Sequence, residues 1–162
     1  MKILTAVTLI VAMAVAGCAK EADVPPPNTN NNATNTGPAP ESVAYFNQVV
    51  GDRVFFGTDQ YTLDAQAQAT LDRQAQWLNT NAATSITVED HADERGTRQY
   101  NLALGARRAN AVRQYLVSRG VAAGRVRSVT FGKERPEATC SDPSCWSQNR
   151  RGVSVVTGAP AG

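Results

Sequence analysis

The chain has 162 residues, 42% of them hydrophobic and 19% charged, and its 16 basic and 14 acidic side chains leave a formal net charge of +2. The densest basic sites are the pairs Arg107–Arg108 and Arg150–Arg151, too sparse for the concentrated positive footprint that nucleic acid requires. A single histidine offers no multi-histidine metal centre.

In chain order, Met1 and Lys2 give a short positive start, and Ile3 to Val15 is an apolar run followed by small residues. Thirteen residues at about 1.5 Å each cannot cross a hydrocarbon core of about 30 Å, so residues 1–17 read as a secretory signal. Val15-Ala16-Gly17-Cys18 resembles a bacterial lipobox, which makes Cys18 the lipidated mature N-terminus and outer-membrane lipid its partner; Ala19 in place of an aspartate favours retention there. Acyl chains at about 0.8 kcal/mol per buried methylene give a lasting anchor. The composition then shifts to asparagine, threonine and proline, with PPP at 25–27 and no apolar period. Such a segment cannot bury enough surface to offset chain entropy: residues 18–42 read as a lipidated N-terminus and tether, of which the stretch from Ala19 to about Pro40 reaches at most roughly 75 Å extended and about 25 Å as a coil. The remainder, 43–162, is enough chain for one core.

Within that domain Val54–Phe56 predicts a short strand and 57–64 a turn leading into a helix over 64–79, where Leu71, Ala75 and Leu78 recur at helical spacing. Ile86 and Val88 alternate with polar residues in a second strand ending near His91. Gly96 and Thr97 supply a break and an N-cap for a second helix that Gly120 ends. Val126–Phe131 and Val153–Val156 complete a βαβαββ order. Right-handed crossovers put both helices on one sheet face, and the alternating polar residues leave the other face wet.

The stretch from His91 to Val112 carries the functional signal. Leu104, Arg108, Val112 and Leu116 form one helical stripe, so Arg108 interrupts a core-facing row and needs a partner. Asn101 lies on the same face roughly 10 Å earlier along the axis. Asp93 stands just before the helix begins. One acid, one amide and one guanidinium suit a zwitterionic ligand such as the free end of an amino acid. The same spacing also accommodates an internal Asp93–Arg108 ion pair. Loops at strand ends commonly build sites, and the turn after the first strand brings Thr58 and Asp59 alongside. Tyr100 could flank a ligand, although an aromatic residue at a helix start is more often core.

HADERGT at 91–97 and YNLALGARRANAV at 100–112 resemble the OmpA-like peptidoglycan-binding domain family, and the resemblance covers about residues 50–157. It implies an α+β two-layer sandwich with the helices on one face of a mixed four-stranded sheet. It also implies a diaminopimelate site in which Asp93 and Arg108 grip the wall peptide and Asn101 supports them. The lipoprotein members of the family imply further work with the Tol system, TolB in particular, in envelope integrity and in drawing the outer membrane inward at division. Asp90 departs from the pattern, standing where the family usually has glycine. NRRGV at 149–153 resembles the family's closing segment, so Arg150 or Arg151 either lines the pocket or is a solvated edge residue.

Cys140 and Cys145 enclose the proline turn SDPS, and a periplasmic setting favours a disulfide between them. Zinc at that pair would need two more ligands nearby. The rival to wall binding is catalysis by Glu89, Asp90, His91, Asp93 and Glu94 around a metal, or as acid and base groups. A second rival is a domain that serves mainly as a docking platform for protein partners. The residues favour a non-enzymatic binder without a cofactor.

Overall fold

The structure, a computed structural model, describes residues 37–158; the signal, lipobox and most of the tether fall outside the described residues. Ser42 caps a helical segment, α1, in which one α-turn, Val43–Tyr45, continues as a π-helix, Phe46–Gly51. Its Phe46 and Val50, one turn apart, are buried, and Phe46 meets the Trp77 ring at 4.9 Å. β1 is Arg53–Phe55. α2, Ala65–Thr80, begins at Asp64, whose carboxylate accepts from the Ala67 N–H at 2.8 Å. β2 is Ser85–His91 and α3 is Arg98–Ser118, capped by Thr97 and ended at Gly120, whose φ of 92° lies in the left-handed region. A 3₁₀ turn, Ala123–Arg125, precedes β3, Val126–Thr130; α4, Pro143–Asn149, precedes β4, Arg151–Thr157.

The sheet order is β1-β4-β2-β3. β4 is antiparallel to both β1 and β2, while β2 and β3 are parallel, so the sheet is mixed as expected. β2 and β3 are adjacent and parallel because α3 crosses between them; β1 and β2, linked by α2, are separated by β4. Leu71, Ala75 and Leu78 of α2 and Ala109, Val112 and Leu116 of α3 share one core with Val54, Ile86, Val88 and Val126. Both helices therefore cover one face, and at about 25 cal/mol per Å² this burial is the main source of stability. No helix among the described residues is long and apolar enough to cross a membrane.

Two expectations need correction. Residues 43–51 and 143–149 are helical, although the first segment is rich in Val, Phe and Tyr and the second reads as a proline turn. Pro143 instead occupies the start of α4, with Asp142 accepting from the Ser144 and Cys145 N–H groups. The outer sheet face is also only partly wet. Phe55, Val129 and Val155 are exposed on it, but His91 and Arg151 at one end are buried. There Arg151 meets Glu137 at 3.0 Å and His91 packs beside Phe131, over whose ring the Arg135 guanidinium sits at 3.6 Å.

Candidate functional site

At the carboxyl end of β2, the loop 92–97 and the start of α3 face the turn after β1 across a cavity of about 260 Å³. Its lining includes Thr58, Asp59, Asp93, Asn101 and Arg108, the sequence candidates, together with Arg95, Tyr100 and Arg150.

Arg108 is 1% exposed, one step along the buried row Leu104, Val112, Leu116. Its Nε donates to the Gln60 carbonyl at 2.6 Å and its Nη2 to the Gly57 carbonyl at 2.9 Å. Its Nη1 has no hydrogen-bond partner. Burial lowers its pKa, and Asp90 works against that shift. The guanidinium thus ties down the β1–α2 turn and keeps one unsatisfied donor group in a low-dielectric site.

Asp93 does not pair with Arg108. Its Oδ1 accepts from the Arg95 backbone N–H at 3.1 Å and from Arg95 Nε at 3.2 Å. Its Oδ2 accepts from Arg95 Nη2 at 2.7 Å and Arg150 Nη1 at 2.9 Å. The internal Asp93–Arg108 ion pair is therefore replaced by two others. Burial alone would push the Asp93 carboxyl up, but the hydrogen bonds from Arg95 and Arg150 win and hold it below its ordinary value.

Asn101 is buried and donates to the Arg95 carbonyl at 2.7 Å, which fixes the loop rather than filling the cavity. Thr58 accepts from Arg95 Nη2 at 3.3 Å. Asp59 holds φ at 56°, an uncommon backbone state for a residue other than glycine, and accepts from the Tyr100 hydroxyl at 3.1 Å. Tyr100 is 47% exposed, so its assignment to the core is wrong: it stands at the rim, and its bond to Asp59 raises its pKa. Arg150 lines the cavity, anchored on the Phe56 carbonyl at 2.9 Å, whereas Arg151 points to the covered end of the opposite sheet face.

Sequence reasoning missed Arg95 and Trp146. The Arg95 guanidinium lies 4.2 Å from the Trp146 ring centroid, and Trp146 Nε1 donates to Glu94 at 3.1 Å. Trp146 belongs to α4, which the bonded pair Cys140–Cys145 ties to the preceding loop across a Cα separation of 5.7 Å. The only early signal was the arginine inside HADERGT itself.

Asp90 is fully buried on the inner sheet face, paired in ordinary strand geometry with Thr130 and Gly152. Although the family usually has glycine here, its place in β2 demands no unusual backbone. Burial pushes its carboxyl up to about 7, while Arg108, a hydrogen bond from Thr130 and Arg151 work in the other direction.

The cluster proposed for catalysis is not assembled. Asp90 faces α3, Glu89 and His91 alternate onto the opposite face, and Asp93 and Glu94 lie in the loop. Among the described residues the only group with metal-ligand proximity is Cys140, Asp142 and Cys145, and its sulfurs are bonded to each other.

The fold and this cavity define a class. The family model described as the OmpA family matches residues 55–150. The chain is 54% identical over 158 residues to the peptidoglycan-associated lipoprotein of Rhizobium meliloti, covering 94% of this chain and 87% of that one. It is 52% identical to the protein of the same name from Mesorhizobium japonicum, over 94% and 91%. The crystal structure of the peptidoglycan-associated lipoprotein from Burkholderia pseudomallei superposes with a TM-score of 0.66 at 39% identity, over 68% of this chain and 96% of that one. The C-terminal domain of Helicobacter pylori MotB, at 18% identity and a TM-score of 0.62 over 67% and 86%, shares the fold. The chain belongs to the OmpA family and, within it, to the peptidoglycan-associated lipoproteins.

Proposed function

We propose that the chain is a non-catalytic tether: a lipoprotein anchored in the outer membrane through Cys18, whose periplasmic domain holds peptidoglycan non-covalently. The observation that carries this reading is the buried Arg108 guanidinium lining the cavity with Nη1 unpartnered. A buried cationic donor without a partner is costly, and a ligand carboxylate would relieve that cost with a charge-assisted hydrogen bond. Three guanidiniums, Arg95, Arg108 and Arg150, line the cavity against the carboxylates of Asp59 and Asp93. An anionic group is therefore favoured, with an ammonium directed to Asp93.

The free end of diaminopimelate in a wall peptide offers both charges. Arg95 is the group an entering ammonium would displace, because its side chain is 39% exposed whereas that of Arg150 is only 13% exposed. The family relationship supports the same substrate. Calorimetric titration with a diaminopimelate-containing peptide should give stoichiometric binding that Asp93→Asn abolishes while the domain stays folded. A folded Asp93→Asn protein that still sediments with wall sacculi like its parent would reject the site. Exchange with the Tol system is part of the proposal, and soluble wall peptide should compete with TolB if the two share this surface.

A further inference from the structure

Asp90 is a wholly buried carboxylate that the proposed function leaves unused. The opposing turn of α3 carries Gly105, where any Cβ would collide with Asp90 Oδ2 and Thr130 Oγ1. The helix backbone is thus seated directly on the acid, an approach that only glycine allows. Three residues further along α3, on the same face, stands Arg108. Asp90 Oδ1 and Arg108 Nη1 are both buried and both without a hydrogen-bond partner. The charged groups acting on Asp90 are Arg108 from α3 and Arg151 from β4; those acting on Arg108 are Asp90, Asp93 and Asp59, with Arg150 opposing.

We propose that Asp90 is the buried counter-charge of Arg108, a positioning residue that weakens this guanidinium's pull on a ligand carboxylate until Asp90 takes up a proton. The inference rests on the reading of Arg108 as the ligand's partner. A bound carboxylate would share one guanidinium with Asp90, and two anions beside one cation repel. Protonating Asp90 removes that repulsion, and because burial already holds its carboxyl at about 7, the proton is at hand near neutral pH. By linkage, a ligand that raises the pKa of Asp90 binds with proton uptake, so affinity rises as pH falls through that range. Each unit by which the ligand raises the Asp90 pKa makes the low-pH affinity about tenfold tighter than the high-pH affinity. His91, held down at about 4, titrates below this window.

The test is a calorimetric titration of the full mature chain in detergent with a diaminopimelate-containing muramyl peptide, at about pH 6 and about pH 8 and in buffers of different ionisation enthalpy. The expected result is binding three- to about tenfold tighter at the lower pH with net proton uptake, and Asp90→Asn binding at the higher pH as tightly as the parent does at the lower. An unchanged pH slope in Asp90→Asn, or a variant as weak as the parent at the higher pH, overturns the proposal. Carbon-13 NMR of the Asp90 carboxyl separates this from failure of the wall-binding reading. It should titrate near neutrality and move when Arg108→Lys alters the guanidinium. A resonance that titrates in the ordinary carboxylate range overturns the Asp90 proposal even if wall peptide binds, and absence of peptide binding with a neutral titration overturns the function it serves.

Discussion

A leucine in place of Arg108 would complete an apolar row, and the row alone predicts an unchanged or more stable fold. The carbonyls of Gly57 and Gln60 reverse that sign, because both lose their donor. Arg108→Leu should therefore cost about 1–3 kcal/mol in denaturant unfolding and also abolish sedimentation with sacculi. Arg108→Lys keeps the charge but not the fork, and should recover part of the stability and little of the binding. His91 acts in the opposite pH direction from Asp90. Burial, and then Arg151, push its pKa down from 6.5 to about 4, so the folded state binds fewer protons than the unfolded chain between those values. Stability from this group is complete above the unfolded value and is lost as pH falls through the folded one, by on the order of 3 kcal/mol. His91→Phe, which keeps a ring against Phe131, should flatten that acid-side loss in melts taken between about pH 4 and pH 7. An equally steep loss in the variant would place the acid sensitivity elsewhere.

Among the elements, those with a strong period were legible and those fixed by distant partners were not. α2 and α3 follow from rows of apolar residues, and their caps, Asp64 and Thr97, from short polar side chains placed before them. Arg108, with Asn101 on the same face, was legible for the same reason, since a charge breaking a row announces a buried polar site, whereas Asp93 was legible as an acid placed just before that helix and through the family resemblance. α1 escaped because β-formers make up much of it and its helical state depends on Phe46 meeting Trp77, 31 positions further on. Arg95 and Trp146 escaped because their contact spans 51 positions and has no local pattern. That contact sets α4 behind Arg95, which lines the cavity. Removing both cysteines with Cys140→Ser and Cys145→Ser should cost about 2 kcal/mol, as expected for a small closed loop. It should also weaken wall binding severalfold, since the Trp146 platform under Arg95 loses its brace. Trp146→Ala should reproduce the binding defect with the disulfide intact; normal binding by that variant would show that α4 only covers the fold. Mass spectrometry of the mature protein should find the pair two hydrogens lighter than free thiols.

At the scale of the whole molecule, the size of the cavity does not by itself set how tightly one domain grips a wall peptide. Coupling two envelope layers also depends on holding the domain near its ligand. A lipid at Cys18, joined to the domain by residues 18–42, would supply this through effective concentration, which adds avidity without any new contact. Its reach would matter as much as its presence, because a tether of at most roughly 75 Å over residues 19–40 would confine the domain to the neighbourhood of the membrane carrying it. Cys18→Ser would remove such an anchor while leaving every residue of the cavity unchanged. The variant should leave the membrane fraction and still titrate wall peptide with the parent's affinity, yet fail to hold the outer membrane to the wall when cells are osmotically stressed. Recovery of the variant in the outer-membrane fraction would refute the lipobox. A variant that leaves the membrane but preserves envelope integrity would show that the coupling does not run through this anchor.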